Sequence, residues 1–249
     1  NIIATSEPVI LESTAIIDVR KLAAEEAARG GPGPDLRKRL FRRGLENPSL
    51  LEGPGDPALM GTEEGTGTTG IGTRLFVASP SPTSNYMGLD DIPMADTNFI
   101  VIPPDVGGGV GPNKVMEGFN NNYRIRDKAT GATQITMGTA TFWAAVTNPN
   151  ERTALTDPRT TYDPYNNRWI VCMQTVLTNA AVLVGVSQTS DPAGAWNLYR
   201  FTGLSGSLGG NYLLDFPNMG FNKNWVAITI NRYTSAGAFS YGICLALHY

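Results

Sequence analysis

From Arg74 onward, apolar and polar residues alternate in short runs, each broken within a few residues by Gly, Pro, Asn or Asp. Successive side chains on a strand point to opposite faces, so this spacing predicts β-strands rather than helices. The runs are RLFVAS (74–79), NFIVI (98–102), NKVMEGF (113–119), YRIRD (123–127), TQITM (133–137), TFWAAV (141–146), NRWIVCMQTV (167–176), AVLVGVS (181–187), WNLYRF (196–201), NWVAITI (224–230) and FSYGICLAL (239–247). No helical pattern long enough to form a crossover lies between them, which argues against a parallel α/β fold. The short connections Asp127–Gly131 and Ser190–Gly194 predict antiparallel neighbours.

The first sixty residues differ. PVILESTAIIDV (8–19) is β-branched, apolar and free of glycine, and reads as a strand. RKLAAEEAAR (20–29) reads as a short helix stopped by Gly30-Gly31-Pro32-Gly33-Pro34. Asp35 is placed to cap a second short helix, LRKRLFRR (36–43), ended by Gly44. Eight of the 19 Lys and Arg residues fall in this region, as expected of a solvated surface helix or a cleavage-prone spacer. Asn47 to Thr73 is rich in Gly, Pro and Thr and reads as a linker. Its GTGTTGIGT lacks the Lys-Ser/Thr of a phosphate loop. The chain thus divides into an extension (1–60), a linker (61–73) and a β domain (74–249).

Composition narrows the function classes. Charged residues are 16% of the chain, below the ~25% of an ordinary soluble domain, while Gly (28) and Pro (17) are abundant. No run approaches the ~18 apolar residues of a spanning helix, and a net charge of −3 argues against nucleic-acid partners. The chain starts at Asn1 with no secretory leader pattern, as a processed form or a fragment would. Cys172 and Cys244 are too few for a disulfide scaffold. They form either one bridge or two buried thiols, since both lie in apolar runs.

Two segments repeat weakly. DPRTTYDPYNNRWIVCMQT from Asp157 can be laid beside DFPNMGFNKNWVAITI from Asp215, pairing Trp169 with Trp225 at an offset of 58 (157 to 215). SDPAGAW (190–196) resembles the Asp-box turn of sialidase-like propellers, one residue shorter. In such a turn Asp191 accepts backbone N–H bonds, Gly194 makes the bend and Trp196 plugs between sheets. PPDVGGGVGPNKVMEGFNNNYRIRDKATG (103–131), DPRTTYDPYNNRW, SDPAGAWNLYRF and DFPNMGF together resemble, in the same order, the motifs of a family of secreted bacterial β-propeller-like proteins. The resemblance spans roughly residues 100–247, with Lys114 where that family usually has histidine. It implies four-stranded antiparallel blades, an extracellular setting, association with adhesion or sorting modules, and no established enzymatic activity.

The strands after residue 113 supply about two complete blades and part of a third, whereas propellers close with 4–8. An incomplete ring leaves strand edges with unpaired N–H and C=O groups. The segment carrying Val9, Ile10, Leu11, Ile16, Ile17 and Val19 is the candidate donor strand for such an edge, in its own chain or a neighbour's. Head-to-tail exchange would give a homo-oligomer or a filament. A strand packed within its own domain is the plain alternative.

Candidate chemistry is sparse. A glycoside-acting enzyme needs paired carboxylates, for which Asp90/Asp91, Asp157/Asp163 and Asp215 are the candidates. Aspartates beside Pro and Gly are ordinarily turn-formers. Calcium, a hard cation, would draw on Asp105, Asp157, Asp163 and Asp215. With one histidine, His248, zinc and a Ser-His-Asp group are disfavoured, and Cys244 would share a strand face with it. Tyr162 and Tyr165, in an Asn-rich turn, are the candidate carbohydrate-stacking residues for a glycan or cell-surface partner. The sequence reads best as a non-enzymatic, extracellular structural or adhesive protein; a glycoside-acting enzyme or carbohydrate-binding propeller is the alternative.

Overall fold

The computed structural model describes residues 10–29, 38–41, 85–89, 99–102, 104–177, 180–202 and 211–248. The candidate residues Val9, Asp90 and Asp91, the linker 61–73 and the run 74–79 lie outside them. The fold is all-β, with strands in antiparallel sheets and few helices. Among the described residues the sheets do not close into a ring.

Strand β1 (Ile10–Asp18) leads directly into helix α1 (Val19–Ala28). Asp18 makes the junction by accepting the Lys21 N–H at 2.9 Å, the ordinary task of an N-cap carboxylate. β2 (Lys38–Phe41) pairs in parallel with β3 (Phe99–Ile102). This corrects the helix expected over 36–43: the described part of that basic run is extended.

Three sheets follow. The first contains β4 (Val106–Val110), β5 (Lys114–Phe119), β6 (Asn122–Asp127) and β7 (Thr133–Gly138) in sequential order. Two short helices, α2 (Thr139–Trp143) and α3 (Pro149–Arg152), lead to the central sheet. That sheet is β8 (Leu155–Asp163), β9 (Arg168–Thr175), β10 (Val182–Ser187) and β11 (Ala195–Thr202), with β1 added outside β11. The third is β12 (Tyr212–Phe221), β13 (Trp225–Thr234) and β14 (Phe239–His248).

The central sheet is buried on both faces. Trp169, Val171 and Met173 of β9 join Met116, Tyr123, Ile125 and Met137 of the first sheet in one core. The alternate residues Ile170 and Cys172 join Val226, Ile228 and Ile230 of β13 in a second. A two-residue period therefore feeds two cores, and β9 loses its polar face entirely.

The segment TFWAAV, expected as a strand, instead contains most of α2. Phe142 and Trp143 are both fully buried, and Phe142 packs edge-on to Tyr123, Trp143 and Trp196 at 5.0, 4.9 and 5.3 Å. Neighbouring strand residues face opposite ways, whereas one helical turn delivers both rings to the same core. Conversely, the Gly-rich run VGGGV, absent from the predicted strands, is β4. A Cβ on Gly107 would stand 2.7 Å from the Pro158 carbonyl oxygen, and one on Gly109 3.0 Å from Thr161 Cα. Glycine is needed there because β4 touches the backbone of β8.

The Asp-box-like turn forms as expected. Asp191 accepts the Ala193 N–H at 3.1 Å, and Trp196 is fully buried with its indole N–H on the Pro192 carbonyl at 2.8 Å. The internal repeat is real, with its register shifted by one residue. β8 is bulged between Thr156 and Arg159 and β12 between Asp215 and Asn218, an offset of 59 (156 to 215). Each bulge holds a pre-proline residue at positive φ, Asp157 and Phe216, both at 57°. Tyr162 and Phe221 correspond at the same offset, and their ladder partners are Trp169 and Val226, so the fully buried Trp169 matches the core residue Val226, while Trp225 points out and is 44% exposed.

Replacing Gly107 with Val is expected to lower folding stability by about 1–3 kcal/mol through overpacking. Gly108→Val, where a Cβ meets only the Met116 carbonyl oxygen at 3.5 Å, should change it little. Urea denaturation of both variants separates close sheet contact from a general intolerance of side chains in β4.

Candidate functional site

The arm formed by β1 and α1 is attached through backbone, core and charge. Ladder pairing runs antiparallel from Ile10↔Thr202 to Asp18↔Ala195, with one bulge between Leu11 and Ser13. It continues past the strand, because the Val19 and Arg20 N–H groups donate to the Gly194 and Ala193 carbonyls at 3.0 and 3.1 Å. Of the candidate donor residues described, Ile17 and Val19 are buried, whereas Ile10, Leu11 and Ile16 are exposed.

Charged contacts flank the ladder. Arg20 pairs with Asp191 of the Asp-box-like turn. Arg200 of β11 lies between Glu12 of the arm, at 2.8 Å, and Glu151 of α3, at 2.6 Å. Burial works against the Arg200 charge, but the hydrogen bonds and charges of the two carboxylates outweigh it and raise its pKa. Glu151 also closes the capping box of α3 with Asn148, so the same carboxylate serves helix and arm.

Glu26 reaches from α1 to the start of α2. The helix has no side-chain cap of its own, and Glu26 accepts the N–H of its N-cap residue, Gly138, at 3.2 and 3.1 Å. The residue is 4% exposed, and burial raises its pKa above the ordinary carboxylate range, against the backbone bond from Gly138, Thr141 and the Arg29 charge. A carboxyl desolvated in this way carries a penalty when ionised.

A second polar system runs inside the fold and collects three of the four calcium candidates. Asn120 donates to Asp105 at 3.0 Å and accepts from the Asp157 backbone N–H at 2.8 Å and the Thr156 hydroxyl at 3.1 Å. Gln174 donates to Asp157 at 2.7 Å and to Asp215 at 3.4 Å, and the Phe216 N–H donates to Asp157 at 3.2 Å. This chain joins the two proline bulges and links all three sheets. Asp163 lies apart, accepting from the Tyr165 N–H and Asn166 amide to form the β8–β9 turn. Among the described residues no three His, Cys, Asp or Glu side chains gather in an arrangement suited to a metal ion.

The remaining candidates are dispersed. Tyr162 is half-buried, packs edge-on to Trp169 at 5.2 Å and donates to Asn167 at 3.1 Å. Tyr165 is 62% exposed and lies 6.4 Å from Phe221 between ring centroids. Cys172 is buried and Cys244 exposed, both as free thiols, so neither the bridge nor the pair of buried thiols is realised. Burial pushes the Cys172 thiol up to about 12, leaving it protonated and inert. His248 shares the exposed face of β14 with Cys244 and packs edge-on to Trp225 at 5.0 Å. No described helix is long and apolar enough to cross a membrane.

The connectors Asn120, Gln174, Glu26 and Glu151 escaped sequence reasoning. The capping-box spacing Asn148-x-x-Glu151 was the one legible signal among them.

Gln174→Leu is expected to destabilise the fold by about 1–3 kcal/mol, because it removes a donor from buried Asp157; thermal unfolding measures it. Glu26 supplies a pH dependence of definite sign. The folded state holds its proton more tightly than the unfolded chain, so its contribution to stability falls as pH rises from about 4.5 through its raised pKa. Glu26→Gln should remove that component, seen by comparing denaturation midpoints of the two proteins across pH 4–8.

No protein family, curated protein or solved structure matches this chain.

Proposed function

We propose that the protein is a non-enzymatic, extracellular structural or adhesive component whose copies are joined by exchange of the β1–α1 arm. The observation carrying this reading is the placement of Ile10–Asp18 as a fifth strand on β11. The arm and its acceptor are separated in sequence by more than 160 residues, from Asp18 to Ala195. In the structure they belong to one chain, and the same contacts would serve equally between chains. Each copy then gives one arm and receives another, a heterologous contact that propagates unless it closes into a ring.

Three stacked antiparallel sheets with sequential strand order support a propeller-like reading, with each sheet as a blade. The resemblance over residues 100–247 supports the extracellular setting and the absence of catalysis. Asp157 and Asp215 engaged by Gln174, and Asp163 engaged by its own turn, fit carboxylates serving structure better than a glycosidase pair.

Ile16 and Asn197 are direct cross-strand partners on one face of the β1–β11 pair, a placement suited to a disulfide. In a Cys244→Ser background, the double variant I16C/N197C is expected to give a ladder of disulfide-linked multimers on a non-reducing gel. Deletion of residues 1–19 should reduce the native particle to a single chain by light scattering. A cross-linked product that is wholly monomeric, or a particle mass unchanged by the deletion, overturns the exchange.

A further inference from the structure

Between helix α1 and the first sheet lies a groove of about 660 Å³. Arg20, Ala23, Ala24 and Ala27 form its helical wall, residues 134–136 of β7 face them, and Lys114 and Ala193 complete it. An α-helix turns once in 3.6 residues, so positions 20, 23, 24 and 27 share one face. The two acidic residues of α1 are engaged elsewhere: Glu25 pairs with Lys21, and Glu26 accepts the Gly138 N–H. Among the described residues no Asp or Glu lines the groove. Its charge is set by Arg20 and Lys114.

Both cations sit at one end. Lys114 is the ladder partner of Asp127, whose N–H donates to the Ala132 carbonyl immediately before β7, so Lys114 stands where β7 begins. The Arg20 N–H holds that end of α1 on Ala193, and Glu26 ties the other end to Gly138, where β7 stops. Helix and strand therefore run side by side, with the positive charges at one end of the groove and Ala27 and Thr136 at the other. The acidic groups closest to the cations are engaged by their own turns. Asp127 accepts the Thr130 N–H and hydroxyl and the Ala129 N–H, bonds that lower its pKa with a smaller contribution from the Lys114 charge. Asp191 accepts the Ala193 N–H as well as Arg20. Among the described residues Lys114 joins no ion pair.

We propose that this groove binds a small aliphatic carboxylate, its head on Lys114 and Arg20 and its tail along the alanine face of α1. Small-molecule sites are typically clefts of ~300–1,000 Å³, mostly apolar, with a few polar groups that fix orientation. A guanidinium carries five donors, so Arg20 can serve Asp191 and a ligand together, and the Lys114 ammonium adds three more. No aromatic side chain lines the groove among the described residues, which favours an aliphatic body over a sugar acid that would stack on a ring. From Arg20 to Ala27 the helix rises about 10 Å, the length of a chain of about eight carbons. The groove exists wherever the arm is docked, so this inference does not depend on whether arms are exchanged.

The test is a titration of the full chain with octanoate, followed by amide chemical shifts. Saturable one-to-one binding is expected, with shifts concentrated at residues 20–27, 114 and 133–136. Octanamide keeps the tail without the charge, acetate keeps the charge without the tail, and each should bind about tenfold more weakly or worse. Lys114→Met, of similar length, should lower octanoate affinity about tenfold and leave octanamide affinity unchanged. Ala27→Leu, at an exposed helical position, should weaken octanoate and spare butyrate. Urea midpoints of both variants should match that of the unaltered protein, which separates loss of the site from loss of the fold. The inference is overturned by the absence of saturable binding, by shifts that fall elsewhere, by equal affinity for octanoate and octanamide, or by undiminished octanoate binding in Lys114→Met.

Discussion

Burial of the central sheet on both faces is the constraint from which the remaining organisation follows. A sheet with one solvated face can stand on a single hydrophobic layer; this one needs a cover on each side. The first sheet supplies one through Met116, Tyr123, Ile125 and Met137, and the third supplies the other through Val226, Ile228 and Ile230. Within those layers polar groups must find internal partners. Asn120 and Gln174 meet that demand where bulged strands bring backbone and carboxylates inside.

The arm completes the same sheet sideways. Its residues obey the two-residue period of their acceptor: Ile17 and Ala15 face the first core, while Leu11 and Ile16 lie on the opposite face and are exposed among the described residues. Glu12 and Glu26 show that the arm does more than fill space. Each carboxylate finds a particular partner on the body, an arginine already held by Glu151 in one case and a helix start in the other. Arg200 stays held by Glu151 if Glu12 leaves, but loss of the Glu26 carboxylate would strand the buried Gly138 N–H without its acceptor, which makes attachment specific to this surface.

Most strands were legible because alternation and turn residues are local signals. β9, β10, β11, β13 and β14 fall where their apolar runs fall, and the antiparallel turns at Asp127 and Ser190 follow their chemistry. The failures have tertiary causes. TFWAAV is too short for its period to distinguish helix from strand, and the need to place Phe142 and Trp143 in one core decided for helix. The 36–43 run has strong helix formers, yet residues 38–41 pair with a distant strand. The match of Trp169 with Trp225 misled because a four-residue turn follows β8 where a tighter one follows β12. For the candidate site, β1 was visible as a strand in its apolar run, and three clustered aspartates could be named. Their connectors could not, because Asn120 and Gln174 become meaningful only when three sheets stack.

The glycines of β4 bear on the order in which the molecule assembles. VGGGV has little side-chain surface with which to hold itself extended, and glycine surrenders more backbone freedom on ordering than any other residue. Its partners are rich where it is poor: β5 supplies the ladder and β8 the wall against which its main chain lies. Such a strand is a poor nucleus: it depends on β5 and β8 to hold it extended, so the seam between the first two layers draws its order from its neighbours and not from side chains of its own.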